Sequence, residues 1–365
     1  MAGKEPGLDI LILSDRPRSD GLLGAERERF GRFVAELEGA GLSAEHRFTP
    51  DAGRLDELLD GLSPALVFSA SLETADGPRD SARVHALLES RGQAYVGSDP
   101  ATLELAIDKA ALKRRWTAVG IRTPEFLLAH PDDLPGKDRY ARLGYPCIVK
   151  PNREGNSRGI GEDSVVRDYG ALSAKVGETA VAYGPVLVER FLGDDPGLRE
   201  FTAAMIGSGT RMLVMPAEIR LLEPKAVRVV TTGDKDGHRT AAVPVEDPAL
   251  RARVADFAAA CFRAAGVRDY SRCDMLLSAG ELHAIEINGQ PMVPDRWFET
   301  CSSGAGLGGG AYLPALVLAA LLRLQNGDGG PAPRLDAMRD AILRALRDSV
   351  PAATWATLSG EGRTS

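Results

Sequence analysis

Cysteine is scarce in this 365-residue chain, and its four residues, Cys147, Cys261, Cys273 and Cys301, show no paired spacing. That excludes a disulfide framework and the common zinc motifs, and reads as reduced, packed thiols. Long apolar runs are also missing. The longest, residues 311–322, contains Pro314 and is too short to cross a bilayer, so no membrane partner is expected. There is no excess of positive charge. A net charge of −7 leaves no basic stripe to neutralise nucleic-acid phosphates, although a few local cations suffice for ATP. The N-terminus has no basic stretch followed by an apolar one, so a cytoplasmic location is expected. Internal repeats and low-complexity segments are absent too. With 44% hydrophobic and 26% charged residues, the chain reads as an ordinary globular protein of two or three domains.

The most informative stretch is GYPCIVKPNREGNSRGIG, residues 144–161. An apolar strand, Cys147–Val149, delivers Lys150 at its end, and Pro151 is expected to stop regular pairing. The loop that follows is bounded by Gly155, Gly159 and Gly161. Glycines permit positive φ and close approach of backbone to a ligand, and successive N–H groups in such a turn form an anion-binding nest. With Lys150 as a point charge and Ser157 as a hydroxyl, the stretch suits a flap over a nucleotide triphosphate; the competing reading is a plain hairpin turn with a solvated lysine.

Upstream, the apolar runs 8–13, 65–69 and 94–96 read as buried strands. Between them lie helical patterns, one with Phe30, Phe33, Val34 and Leu37 on one face and Gly41 as its stop. Strand–helix alternation predicts a parallel α/β layer over residues 1–100. Glu26 lies near the start of that helix, as a first-turn acid or as a carboxylate for a substrate ammonium. Asp108-Lys109 opens another helix, ending near Val119, and Lys109 reads either as a surface lysine or as a phosphate contact.

Past the flap, a helix is expected around 168–178 and strands over 185–192 and 200–206. The edge at Glu189, Arg190, Phe191 and Leu192 is of a kind that offers backbone groups to an adenine ring. Residues 219–244 are irregular and rich in cations, among them Lys225 and Arg228, and read as a lid or as a hairpin with a solvated tip. After a helix over 248–265 comes SRCDMLLSAGELHAIEINGQP, a hairpin with strands 272–277 and 282–287. Arg272 and Asp274 share one face, as do Glu286 and Asn288 on the partner strand. Three oxygen donors, Asp274, Glu286 and Asn288, suit Mg2+, which is held by one or two carboxylates plus substrate phosphates. Residues 295–310 read as a Gly- and Ser-rich loop, and helices follow over 312–324 and 334–350.

Together these stretches resemble the ATP-grasp superfamily, in its D-alanine–D-alanine ligase-like branch. The resemblance covers residues 8–323 and rests on Asp108-Lys109, KPNREGNSRG at 150–159, VLVERFL at 186–192, EFTAAMIG at 200–207 and the Arg-x-Asp with Glu-x-Asn pairing at 272–288. It implies an N-terminal parallel α/β domain (1–100) followed by the two-lobed ATP-grasp fold, a central subdomain with the flap (101–192) and a C-terminal subdomain with the metal hairpin (193–325). ATP would lie between the lobes. Lys109, Lys150 and the flap residues Glu154, Gly155, Asn156 and Ser157 would contact phosphate. Glu189, Arg190, Phe191 and Leu192 would hold adenine, and Glu200, or Glu189 in its place, the ribose. Asp274, Glu286 and Asn288 would bind two Mg2+ ions, with Mn2+ able to substitute. Arg272 would stabilise charge during acyl transfer, with Ser157 beside it, and Glu26 would take the first substrate's amino group.

The sequence also departs from that family. SLETADGPRD at 71–80 puts Ser71 where the family has a histidine. Asn156 replaces the first of two serines, the Tyr-rich lid is absent, and GQPMVPD follows Asn288. The nucleotide and metal parts persist while the substrate parts differ. The expectation is an ATP-dependent carboxylate–amine ligase acting through an acyl phosphate on amino acids or related small molecules, and not making D-alanyl-D-alanine. Ser71, Lys225 and Arg228 are candidates for substrate contact. Small-molecule substrates are the implied partners, with a homodimer implied by the resembling enzymes. The alternatives are a nucleotide-binding homologue without ligase activity and an intramolecular amide-forming cyclase.

Overall fold

The computed structural model of the chain describes residues 7–360 apart from 16–19, 50–54, 72–78, 131, 133–135, 224, 232, 235–238, 294, 309 and 326–331. Its first third alternates β1 (Ile10–Asp15), α1 (Asp20–Gly39), β2 (Ala44–Thr49), α2 (Leu55–Leu62), β3 (Leu66–Ser71), α3 (Arg79–Ser90) and β4 (Tyr95–Val96). All pairings are parallel, in the order β2-β1-β3-β4. Ile10, Leu11, Ile12 and Leu13 are wholly buried, as a strand covered on both faces requires. The strand β2 is missed by pattern because AEHRFT is polar. It is the sheet edge, and its His46 stacks on Phe30 of α1 at 4.3 Å.

Helices α4 (Pro100–Ile107) and α5 (Lys109–Ala118) come next, each capped by an aspartate, Asp99 and Asp108, that accepts from a first-turn N–H. An antiparallel sheet follows from β5 (Phe126–Ala129), β6 (Cys147–Pro151), β7 (Val165–Val166) and β8 (Val186–Arg190), with α6 (Lys137–Leu143) and α7 (Tyr169–Tyr183) against it. Its order is β5-β8-β6-β7. Contrary to expectation, Pro151 does not stop the pairing: it lies opposite Val186. The partner β7 reaches only Cys147 and Ile148, so the missing N–H falls at an unpaired end. Helix α7 runs five residues beyond the expected 178, because Leu172, Val176 and Ala180 bury one face despite Gly170 and Gly177.

The second antiparallel sheet contains β9 (Arg199–Ser208), β10 (Arg211–Leu221), β11 (Thr240–Pro244), β12 (Asp269–Ser278) and β13 (Glu281–Asn288), in the order β11-β10-β9-β12-β13. Helix α8 (Pro248–Ala265) covers one face of it. Where a loop was expected from 295, α9 (Arg296–Gly304) forms instead. Asp295 caps it, and Trp297, Phe298, Cys301 and Ser302 make a buried stripe at helical spacing. The chain closes with α10 (Tyr312–Gln325), α11 (Pro333–Arg347) and α12 (Ala352–Ser359).

One core runs through the first and last parts of the chain: Phe30 and Phe68 pack in the same cluster as Ile206, Leu316 and Ile342. A buried ion pair ties the same regions together. Asp269, wholly buried, accepts from Arg323 Nε and Nη2 at 2.7 Å each and from the Gly97 N–H at 2.8 Å. Breaking such a pair strands a charge in the interior. Arg323→Ala is therefore expected to lower stability by about 3 kcal/mol, read as a shift of the urea midpoint. A shift under about 1 kcal/mol would show that water reaches Asp269.

Candidate active site

The groove between the two antiparallel sheets begins with a register. Antiparallel pairing sets Ile148 opposite Glu189 and Lys150 opposite Leu187, so Lys150 and Glu189 lie diagonally on one face. Lys150 Nζ is 2.5 Å from Glu189 Oε2, and Lys113 Nζ of α5 is 2.7 Å from Oε1. Lys113 also donates to Thr123 Oγ1 at 2.6 Å. The Lys113 and Glu189 side chains are 0% and 2% exposed. Burial opposes ionisation of Glu189, but Lys113 and then Lys150 hold its carboxyl below the ordinary range. Burial pulls the Lys113 ammonium down to about 8 against the attraction of Glu189. Two lysines on one carboxylate leave an excess positive charge inside the protein. Lys113 was absent from the sequence reading, although it lies one helical turn after Lys109 on the same face.

The hairpin supplies the opposite charge. Arg272 pairs with Asn288 and Asp274 with Glu286 across β12 and β13, with a register shift just past Asp274. Asp274 Oδ1 accepts from Thr202 Oγ1 at 2.6 Å and from Arg272 Nε at 3.4 Å. Arg272 Nη1 donates to Asp295 Oδ2 at 3.0 Å, and its guanidinium lies 5.0 Å from the Trp297 ring centre. Burial weighs against the Arg272 charge, and Asp274 and Asp295 more than offset it. Lys109 Nζ is 3.5 Å from Glu286 Oε2 and donates to the Glu154 carbonyl. Burial is the main cause that lowers its pKa, ahead of the pull of Glu286. Among the described residues no group of three or more His, Cys, Asp or Glu is placed to hold a metal. Two carboxylates in register plus the Asn288 amide nevertheless form a hard-oxygen set that fits Mg2+.

The flap is tied at its root. Asn152 accepts from the Ala110 N–H at 2.9 Å and donates to Asp108 Oδ1 at 3.0 Å, and Arg153 pairs with Asp108 at 3.1 Å. Asn156 and Ser157 have φ of 51° and 58°, and Gly159 has 73°. A Cβ on Gly159 would come within 2.8 Å of Pro151 Cγ and 2.9 Å of the Tyr183 ring, so only glycine fits there. Two cavities open on either side of the hairpin carboxylates. Lys109, Gly155, Asn156, Arg272, Asn288 and Asp295 are among those that line one. Lys150, Ser157, Phe191, Leu192, Glu200 and Asp274 are among those that line the other, with Arg190. Glu286 faces both.

At the β8 edge, the Arg190 and Phe191 N–H groups donate to Glu125 O and Pro146 O, both at 2.9 Å, so neither is open to a base. Glu189 likewise spends its carboxylate on the lysines. Arg228 donates to Leu198 O at 2.8 Å and lines the Lys150 cavity, while Lys225 is held by Asp234 at 2.5 Å and Val229 O at 3.0 Å. The lid and hairpin readings of 219–244 each hold part of the arrangement. Residues 217–221 pair with 240–244, and the loop between them carries Arg228 to the cavity. Lys235 and His238 lie outside the described residues. Glu26 pairs with Arg29 at 3.1 Å, and Arg29 Nη1 is 4.0 Å from the sulfur of Met292, which lines the Lys109 cavity. Ser71 pairs in register with Ser14 at the end of β3, and residues 72–78 beyond it lie outside the described residues.

Comparison with known proteins bears on family and fold. Residues 116–304 match the family described as D-ala D-ala ligase C-terminus. The chain is 31% identical over 268 residues to the D-alanine–D-alanine ligase of Ralstonia pickettii, covering 71% of this chain and 75% of that one. It is 33% identical over 217 residues to the corresponding enzyme of Ralstonia nicotianae, spanning 57% of this chain but only 61% of the relative's length. In fold it is similar to the D-alanine–D-alanine ligase of Bacillus anthracis complexed with ATP, with a TM-score of 0.71, 20% identity, and 88% and 99% of the two chains covered.

The triad makes a stability prediction. Glu189→Gln leaves two buried lysines without a counter-charge and is expected to cost about 3 kcal/mol. Lys113→Met leaves a one-to-one pair and should cost clearly less in the same urea titration. Equal losses would mean that Lys113 is not balanced by Glu189.

Proposed function

This chain belongs to the D-alanine–D-alanine ligase family of ATP-grasp ligases, and from that premise we propose that it joins a carboxylate to an amine at the expense of ATP, releasing ADP. The observation that carries the reading is the cross-strand set Arg272, Asp274, Glu286 and Asn288, standing between two cavities beneath the flap. A protein that only binds nucleotide has no use for an arginine in the second cavity, beside the carboxylates that separate it from the first. The cavity with Lys150, Ser157 and the β8 edge takes the nucleotide, and the excess positive charge beside Glu189 faces its phosphates. The cavity on the Lys109 side takes the other substrates.

A carboxylate oxygen takes the terminal phosphoryl group of ATP to give an acyl phosphate, and an amine then displaces phosphate to form the amide. Mg2+, held by Asp274, Glu286 and Asn288, supplies charge neutralisation on the phosphates when bound. Lys109 and Lys150 orient and neutralise the same oxygens. Arg272 holds the oxyanion of the tetrahedral stage, an effect worth about 3–4 kcal/mol where single donors of this kind have been removed. The flap, closed by Lys109 on Glu154 O, excludes water that would hydrolyse the intermediate.

For the substrates, the changed segments 71–80, 219–244 and 289–295 favour a pair other than two D-alanines. A second reading keeps D-alanine in both places, and the names of the relatives favour it. ADP release with Mg-ATP against single and paired amino acids, D-alanine included, and small carboxylic acids separates the two. A ligase gives ADP in step with a product mass equal to two substrates minus water, and Asp274→Asn and Glu286→Gln abolish both while circular dichroism stays unchanged. Near-normal turnover in both variants would sink the metal assignment.

The triad also sets a pH dependence. With burial pulling the Lys113 ammonium down to about 8, raising the pH through that value is expected to take the triad from one excess positive charge to none. ATP affinity, measured by calorimetry, is expected to fall severalfold from pH 7 to 9, and to fall less in Lys113→Met. The same slope in both proteins would remove Lys113 from nucleotide binding.

A further inference from the structure

Arg272 is the natural anchor for a carboxylate in the Lys109 cavity, and two of its three nitrogens are already engaged. Nη1 donates to Asp295 Oδ2, Nε faces Asp274 Oδ1, and Trp297 covers the guanidinium face. Lys109, the other cation described in that lining, is engaged by Glu154 O and Glu286. The same lining holds Glu154, Glu286 and Asp295, of which Glu154 is paired with Arg158 at 3.3 Å. An incoming carboxylate on Arg272 would lie beside Asp295, an unfavourable like-charge contact in a desolvated site. Asp295 itself has capacity to spare. Both of its described bonds, from Arg272 Nη1 and the Phe298 N–H, fall on Oδ2, and no described residue donates to Oδ1. Leu103, Ala106 and Ile107 give the same lining an apolar part.

We propose that Asp295 is a specificity-determining residue, and that the amine accepted here carries an apolar group and no carboxylate beside its nitrogen. This rests on the ligase reading above. The ammonium form is attracted to Asp295 Oδ1, and its substituent packs on the apolar part of the lining. After it loses a proton to solvent, the nitrogen lone pair attacks the acyl carbon and the C–N bond forms. The C–O bond to phosphate then breaks, phosphate leaves with the electron pair, and the nitrogen gives up its second proton.

The test uses the full-length protein with Mg-ATP, a fixed set of carboxylic acid donors, and matched acceptors that differ only in the carboxylate: D- and L-alanine against D- and L-alaninamide and isopropylamine. ADP release and product mass give kcat/KM for each. The carboxylate-free acceptors are expected to exceed alanine by at least tenfold. Asp295→Asn, which keeps the cap on α9, should cut that ratio at least tenfold by improving alanine, and Asp295→Ser should do the same. Alanine preferred by the unmodified protein, or a ratio untouched in both variants, overturns the assignment while leaving the ligase reading in place. No ADP from any pair overturns both.

Discussion

One carboxylate between two lysines, buried where two sheets meet, is the constraint on which the rest of the site depends. Glu189 alone could not stay ionised at its depth, and Glu189 in turn holds the charge of Lys113 against burial. Placing them together draws in three elements at once: α5 for Lys113, β6 for Lys150 and β8 for Glu189. The arrangement carries one positive charge in excess, which is unfavourable for a fold and useful for a phosphate. The cap of α5 and the root of the flap share Asp108, so the lysine helix and the flap are aligned by the same side chain.

The hairpin balances that charge from the other sheet. Its two strands face Asp274 with Glu286, and the register slips immediately afterwards. Irregularities of this kind commonly re-aim side chains next to reaction centres. Lys109 crosses the gap from Glu286 to the flap carbonyl, so one ammonium serves both the hairpin and the flap. Asp295 extends the network from Arg272 to the cap of α9.

Much of the fold was legible locally. The buried strands β1 and β3, helix α8 and the β12–β13 hairpin follow from runs, spacing and turn residues, because each buries a continuous stripe. The misses have physical reasons. The polar edge strand β2 depends on a neighbour, and β10 takes its regularity from pairing with β9. Helix α9 hides among glycines and serines, with an aspartate cap and a three-residue apolar stripe as its only signals. Pro151 continues a strand because of which side lacks a partner, a property no window of sequence contains.

The candidate site divides the same way. By itself the chain determined the residue types and their local phase: Lys150 at a strand end, glycines bounding the flap, Arg272 in phase with Asp274 on one strand and Glu286 in phase with Asn288 on the next. Alternation with a period of two settles such faces without reference to anything distant. Only the tertiary structure decided the partnerships: Lys113 with Glu189 across 76 positions (189 − 113), and Asp269 with Arg323 across 54. The same holds for Asp295 turned onto Arg272. Whether a buried charge is compensated depends on which elements pack around it, and chain closure between distant segments leaves no trace in local pattern.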